Sequence, residues 1–386
     1  MTGEEIVIMV VMNLELNNFL IFDDFKMNLS YPKKPVNSTI PEEHLTARPN
    51  FRYKKIVILM GANATGKTAL GRIMMGIFNF ISRKEYSAIV PYIEDPGKDA
   101  SFSIDLAYSD FTLYRIIGKF KGHKKESDYK SDDITITVQA EPILKNDSYE
   151  RCLSRLLERP ASEYENYIKA LETVPFLTWS FELPFALGRK QRAIEPILPD
   201  LYARVLQKTL QALDPRVKSV SKIPNTENSF VIHYEHHIVI IQEGIITDPD
   251  MLSSGTVEGI GVANMLTAIR LRGMDFFFCD EKFSHIHSVS EKVFLSLMID
   301  LLRENQQLIY TTHNTDILEM DLPLHSFAFL RRDGSDEPDI SCVFASDYLK
   351  KNTASLKNAV ENDIFSDAPD TDSIFAIGDL LREVSV

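Results

Sequence analysis

The sequence predicts an α/β protein built on a mostly parallel sheet, with a mixed β lobe and an inserted helical segment. Three observations carry that prediction. Residues 56–60 are a continuous apolar run, the pattern of a strand buried on both faces, and they lead straight into a glycine-bracketed loop and a helical pattern. Residues 256–311 alternate helical and strand patterns, as a parallel sheet with crossover helices requires. Residues 6–29 and 101–138 alternate in the strand manner between polar connections.

From the amino end, residues 6–16 and 19–29 read as strands broken at Asn17-Asn18, and the Pro- and Lys-containing stretch 30–50 as a loop. After the strand at 56–60 the pattern is helical to about residue 82. Runs 103–108, 111–117 and 134–138 read as antiparallel strands. Residues 149–213 read as helical, punctuated by Pro160, Pro175, Pro184, Pro196 and Pro199. Strand character returns at 230–234 and 237–241, with Glu243-Gly244 as a turn into Ile245-Ile246. Helical patterns at 256–271 and 289–303 then alternate with strands at 276–279 and 308–311. The expected organisation is a core of residues 1–85 and 214–345, a β-rich extension over 86–148, a helical insertion over 149–213 and a tail over 346–386. Between residues 361 and 383 that tail sets seven acids against the single Arg382.

Composition excludes several classes. A chain of 386 residues is long enough for two or three structural units, and 44% hydrophobic with 25% charged residues is the make-up of a folded chain. The formal net charge of −13 excludes a generally basic nucleic-acid binder, so phosphate-backbone contact would need a local patch. Such patches are Lys119, Lys121, Lys124, Lys125 and Lys130, then Arg189-Lys190-Gln191-Arg192, then Arg331-Arg332; the plainer reading of all three is solvated loops. Three scattered cysteines, Cys152, Cys279 and Cys342, exclude a disulfide framework and fit a reducing compartment. No apolar run approaches the roughly 20 residues of a membrane helix, and the best, 6–12, follows acidic Glu4 and Glu5. A cytoplasmic protein without membrane contact is expected.

Gly61-Ala62-Asn63-Ala64-Thr65-Gly66-Lys67-Thr68 satisfies GxxxxGK[ST] in the setting that motif needs, a buried strand before and a helix after. Small residues let backbone N–H groups converge on a polyphosphate at the positive end of a helix. Lys67 would reach the β- and γ-phosphates and Thr68 would offer its hydroxyl to Mg²⁺. The apolar run at 276–279 ends in Asp280-Glu281, where the first acid suits the Mg²⁺ hydration shell and the second the polarisation of an attacking water. His313 follows the next apolar run, 32 residues beyond Glu281, and could sit beside the γ-phosphate. Ser254-Gly255 opens a helical pattern 25 residues before Asp280. Ser254 is placed to cap that helix, and its start forms a second anion site.

In that order, phosphate loop, Ser-Gly signature, Asp-Glu strand end and histidine resemble the head of an ABC-type ATPase, as in structural-maintenance and recombination-repair ATPases. Residues 280–287 and 311–318 are similar to segments of stand-alone bacterial ATPases of the AbiL/OLD class, and residues 355–363 to tails of the ATPase subunit of PARIS-type anti-phage systems. The resemblance covers residues 1–85 and 245–345. Two positions depart from it: Lys282 stands where the branch carries an apolar residue, and the lobe-bridging glutamine has only Gln139 as a candidate.

The resemblance implies ATP and Mg²⁺ as cofactors and a homodimer or higher oligomer in which Ser254 and Gly255 of one copy complete the nucleotide site of another. It implies a sensor and scaffold of an anti-phage defence complex of the PARIS or Septu/retron kind, holding a separately encoded nuclease or toxin effector and responding to a DNA or phage-protein trigger. Only 73 residues follow His313, too few for the Toprim nuclease domain of OLD-type proteins. The alternative is a DNA-repair or chromosome-maintenance ATPase of the RecF/SMC type acting on DNA itself. A transporter motor is disfavoured by the long insertion between phosphate loop and signature. A small-molecule kinase would leave Ser254, Gly255 and His313 without roles.

Overall fold

The strand Ile56–Met60 is fully buried because it runs through the middle of a six-stranded sheet. The order across that sheet is Ile340–Phe344, Phe327–Arg332, Ile56–Met60, Gln307–Thr311, Phe276–Asp280, Trp179–Glu182. Every pairing is parallel except the one between the first two strands. The computed structural model describes residues 8–34, 38–123, 129–162, 164–183, 198–271, 273–332, 339–349, 355–362, 364–365, 377 and 382.

A parallel sheet needs cover on both faces. On one face lies the helix Lys67–Arg83, and beyond it a five-stranded antiparallel sheet ordered Phe25–Asn28, Met9–Asn17, Ala100–Tyr108, Thr112–Phe120, Ile134–Pro142. Two phenylalanines two positions apart show how the helix serves both sheets. Phe78 meets Phe276, Phe181 and Trp179 of the parallel sheet, with ring centroids 5.2–5.8 Å apart. Phe80 meets Phe102 and Phe120 of the antiparallel sheet at 6.3 and 5.8 Å. Each such pair adds about 0.5–1.5 kcal/mol to its area burial. On the other face, Ser254–Leu271 and Ser288–Leu301 pack Met265, Ile269, Leu295 and Met298 against Ile56, Ile58, Phe277 and Tyr310. A four-stranded antiparallel sheet over residues 219–246 shares a separate core with the helix Pro199–Leu213 and the back of Ser254–Leu271.

The segment 149–213 differs from its helical expectation. It holds helices Tyr149–Glu158, Tyr167–Leu171 and Pro199–Leu213, and also the strand Trp179–Glu182, which pairs in parallel with Phe276–Asp280. Four residues between Pro175 and Pro184 are too few to display a period. Arg189-Lys190-Gln191-Arg192, Lys124, Lys125 and most of the acidic tail lie outside the described residues. Lys119, Lys121 and Lys130 are exposed, the three cysteines are free, and no helix among the described residues is long and apolar enough to cross a membrane.

At the amino ends of the parallel strands two side chains grip the backbone of the first strand. Gln307 accepts from Val11 N at 3.0 Å and donates to Val11 O and Lys54 O. Asp275 accepts from Met9 N at 3.0 Å, and burial pushes its carboxyl up to about 7 against the pull of that bond, of Thr178 and of Arg303. A carboxyl that titrates higher folded than unfolded binds its proton more tightly in the native state. Its contribution therefore falls as pH rises from about 4 to about 7 and stays low above. Asp275→Asn is expected to gain up to about 4 kcal/mol over the parent at pH 8 and nothing at pH 4, read from urea midpoints. An equal difference at both pH values would show that this carboxyl is not strained by burial.

Candidate nucleotide-binding site

The carboxyl ends of the parallel strands share one edge of the sheet, the place where open α/β sheets bind ligands. The loop after Ile56–Met60 turns on two glycines. Gly61 has φ 148°, and a Cβ there would lie 2.5 Å from Leu330 O. Gly66 has φ 97° and presses on Ile21 and Phe22, where a Cβ would lie 2.5 and 2.9 Å from their side chains. It directly precedes the helix Lys67–Arg83, whose first turn carries no acid, so its N–H groups would meet an anion unopposed. Lys67, buried, folds back into the loop and donates to Gly61 O at 2.8 Å and Ala62 O at 3.2 Å.

Asp280 ends its strand fully buried. Thr311 donates to its Oδ1, while Oδ2 is buried with no hydrogen-bond partner. Burial raises the carboxyl above its ordinary range, and the hydroxyls of Thr311 and Thr68 oppose that rise. One orphaned carboxylate oxygen beside a threonine hydroxyl suits Mg²⁺, which takes one or two protein oxygens and fills its octahedron with phosphate and water. No cluster of three or more acidic, His or Cys ligands occurs among the described residues, so a dedicated all-protein metal cage is not what this edge offers.

Glu281 adopts φ 46°, and its N–H reaches Thr311 Oγ1 at 3.1 Å and Thr311 O at 3.3 Å. That left-handed step turns its side chain out of the strand. Its carboxylate meets His313 Nε2 at 2.7 Å and lies 3.7 Å from Lys67 Nζ. The hydrogen bond from His313 holds the carboxyl below its usual range, with Lys67 adding to the effect, so it is ionised at neutral pH. A cavity of about 320 Å³ opens beside Glu281 and His313, lined also by Ser284, Glu291 and Thr312.

Glu291, which sequence reasoning missed, builds the turn that carries His313. It is buried and accepts from Tyr310 Oη at 2.6 Å, Thr312 Oγ1 at 2.7 Å and Asn314 Nδ2 at 2.7 Å. An acid on the buried face of a helix that reads as apolar was the available signal. Lys282 is likewise buried. It donates to Leu183 O at 2.8 Å and lies 3.6 Å from Glu182 Oε2, and the pair packs on Gly261, where a Cβ would lie 3.2 Å from that oxygen. The position expected to be apolar is thus filled by an ion pair instead.

Ser254 and Gly255 stand apart from the loop–acid–histidine group. They open the helix Ser254–Leu271, with Ser254 exposed and Gly255 beside His285 O. The cap is Ser253, not Ser254: Thr256 N donates to Ser253 Oγ at 3.2 Å, because the capping residue precedes the first helical one. Glu258, one turn on, accepts from Ser284 Oγ, His285 N and His285 Nδ1, tying this helix to the loop after Glu281. Gln139 is elsewhere, capping Arg159 O at 3.0 Å on the antiparallel lobe. His236 and His237 are exposed and His233 is half-buried.

No protein-family model matches the sequence, and no curated protein aligns with it significantly. Among solved structures it is similar to an Smc head bound to the C-terminal winged-helix domain of ScpA, at 13% identity and TM-score 0.51, over 88% of this chain and 99% of that one. It is also similar to the Smc head with an extended coiled coil bound to the C-terminal domain of ScpA, derived from Pyrococcus furiosus, at 12% identity and TM-score 0.50, over 89% and 98% of the two chains. The fold is that of an ABC-type ATPase head.

Proposed function

We propose that the chain is an ATP-binding and ATP-hydrolysing head that closes as a dimer around nucleotide and opens after hydrolysis. The observation that carries this reading is the convergence of Lys67, Thr68, Asp280, Glu281 and His313 on one sheet edge, drawn from three chain segments. The loop amides of residues 61–66 and Lys67 would bind the β- and γ-phosphates, and Thr68 and Asp280 would hold Mg²⁺, which when bound neutralises charge on those phosphates. Glu281 would take the proton of the attacking water, and His313 would turn from Glu281 to the γ-phosphate. Residues 1–85 and 214–345 supply this machinery; of the residues between them, 100–142 complete the antiparallel lobe begun by Met9–Asn17 and Phe25–Asn28, and Trp179–Glu182 returns to the parallel sheet.

Ser254 and Gly255 would close the site of a second copy, since Ser254 is exposed at the start of its helix with Gly255 half-exposed beside it. ATP then acts as a ligand of the closed pair, and its loss releases that pair. The test mixes two inactive variants, Lys67→Ala and Ser254→Arg. In a two-fold pair, one intact site forms per mixed dimer, so an equimolar mixture regains about a quarter of the parent ATPase. A mixture as inactive as its components would rule out completion in trans.

The fold likeness to Smc heads supports the DNA-repair or chromosome-maintenance reading, in which the dimer acts on DNA. The narrower reading, scaffold of an anti-phage complex with a nuclease or toxin effector, has a local support: residues 311–318 and 355–363, two of the three segments that resemble that class, touch. Lys357 of the helix Leu356–Glu361 pairs with Asp316 at 3.4 Å and Glu319 at 2.8 Å.

A further inference from the structure

The strand Phe327–Arg332 flanks Ile56–Met60 in parallel, with Phe329 opposite Met60, so its last residues run alongside the phosphate loop. Successive side chains point to opposite faces. Arg331 Nε donates to Ser341 Oγ at 3.1 Å, and its guanidinium lies 5.7 Å from the Tyr348 ring centroid. Arg332 turns the other way and donates from Nη2 to Ala64 O at 2.8 Å. Ala64 sits at φ 62°, the left-handed step at which the loop reverses. The Arg331-Arg332 patch is therefore two separate devices, and only the second touches the loop.

Which part of a nucleotide passes Arg332 follows from strand order. Gln307–Thr311 lies on one side of Ile56–Met60 and brings Asp280, Glu281 and His313 to that side. Lys67 leans the same way, toward Glu281. The γ-phosphate belongs there. Phe327–Arg332 lies on the opposite side, so a nucleotide whose γ-phosphate faces Glu281 extends its α-phosphate and nucleoside toward Arg332.

We propose that Arg332 is a nucleotide-contacting residue at the nucleoside end of the site, its guanidinium bridging the Ala64 carbonyl and the α-phosphate with its flat face against the base. The proposal rests on the nucleotide reading of the phosphate loop. A guanidinium suits that place because it has five donors in a fixed plane, of which the Ala64 carbonyl takes one. Its charge is permanent, and its face stacks on aromatic rings.

The test is calorimetric titration of the parent, Arg332→Ala and Arg332→Lys with Mg·ATP, Mg·ADP and Mg·pyrophosphate. Pyrophosphate fills only the β,γ subsites. Arg332→Ala is expected to weaken ATP and ADP by a common factor of about 10–50 and pyrophosphate by less than about 2, the range of one charged hydrogen bond. Turnover at saturating ATP should stay at the parent value while KM rises, and Arg332→Lys should recover part of the loss through its charge. Equal losses for pyrophosphate and ATP would make Arg332 a prop for the loop, and no loss for any ligand would remove it from the site; either overturns the assignment. A parent that binds neither ATP nor ADP would overturn the nucleotide reading and this assignment together.

Discussion

Glu281→Gln is expected to cut ATP turnover by about 10²–10⁴-fold while leaving ATP binding intact or tighter, the effect of removing a general base. The amide keeps the shape of the carboxylate but cannot accept the proton of the attacking water. It also removes an anion lying 3.7 Å from Lys67, so the lysine moves more freely to an incoming triphosphate. Binding without hydrolysis should accumulate the closed pair, so light scattering should show a doubled mass with Mg·ATP that persists where the parent returns to its starting mass. Single-turnover hydrolysis supplies the rate. Turnover at the parent rate would take the water-activating role away from Glu281.

Lys67→Ala should weaken ATP by about 100-fold or more, the worth of a charge-assisted contact of about 3 kcal/mol within a buried loop. The same change also removes the lysine's bonds to two carbonyls in the free protein, Gly61 O at 2.8 Å and Ala62 O at 3.2 Å. Ala62 O keeps Thr65 Oγ1 at 2.9 Å, so the stability cost should stay near 1–2 kcal/mol. Calorimetry with Mg·ATP and thermal melting without nucleotide separate the two effects. Unchanged affinity would mean that the lysine is only a lid on its own loop.

The phosphate loop was legible because its chemistry demands residue types that nothing else explains together: glycines where the backbone turns through positive φ, then a lysine at a helix start. Asp280-Glu281 was legible as acids that stop an apolar run. What the sequence concealed depends on contacts between distant segments. Glu291 looks like any helix acid until Tyr310, Thr312 and Asn314 close on it, and Lys282 looks misplaced until Glu182 arrives from a strand four residues long. The one-residue error at Ser253 is the uncertainty of any helix boundary. Arg332 read as half of a surface patch because charge shows in a sequence and strand alternation shows only in a sheet.

Gln307–Thr311 is five residues long, about 13 Å from end to end at the rise of a strand. At one tip Thr311 holds Asp280 and the amide of Glu281; at the other Gln307 clasps the main chain of Val11 from both sides. A stiff rod pinned so at both extremities cannot absorb a displacement along its axis. On the nucleotide reading proposed above, a shift of the acids would be carried along this strand to Val11 and the antiparallel sheet.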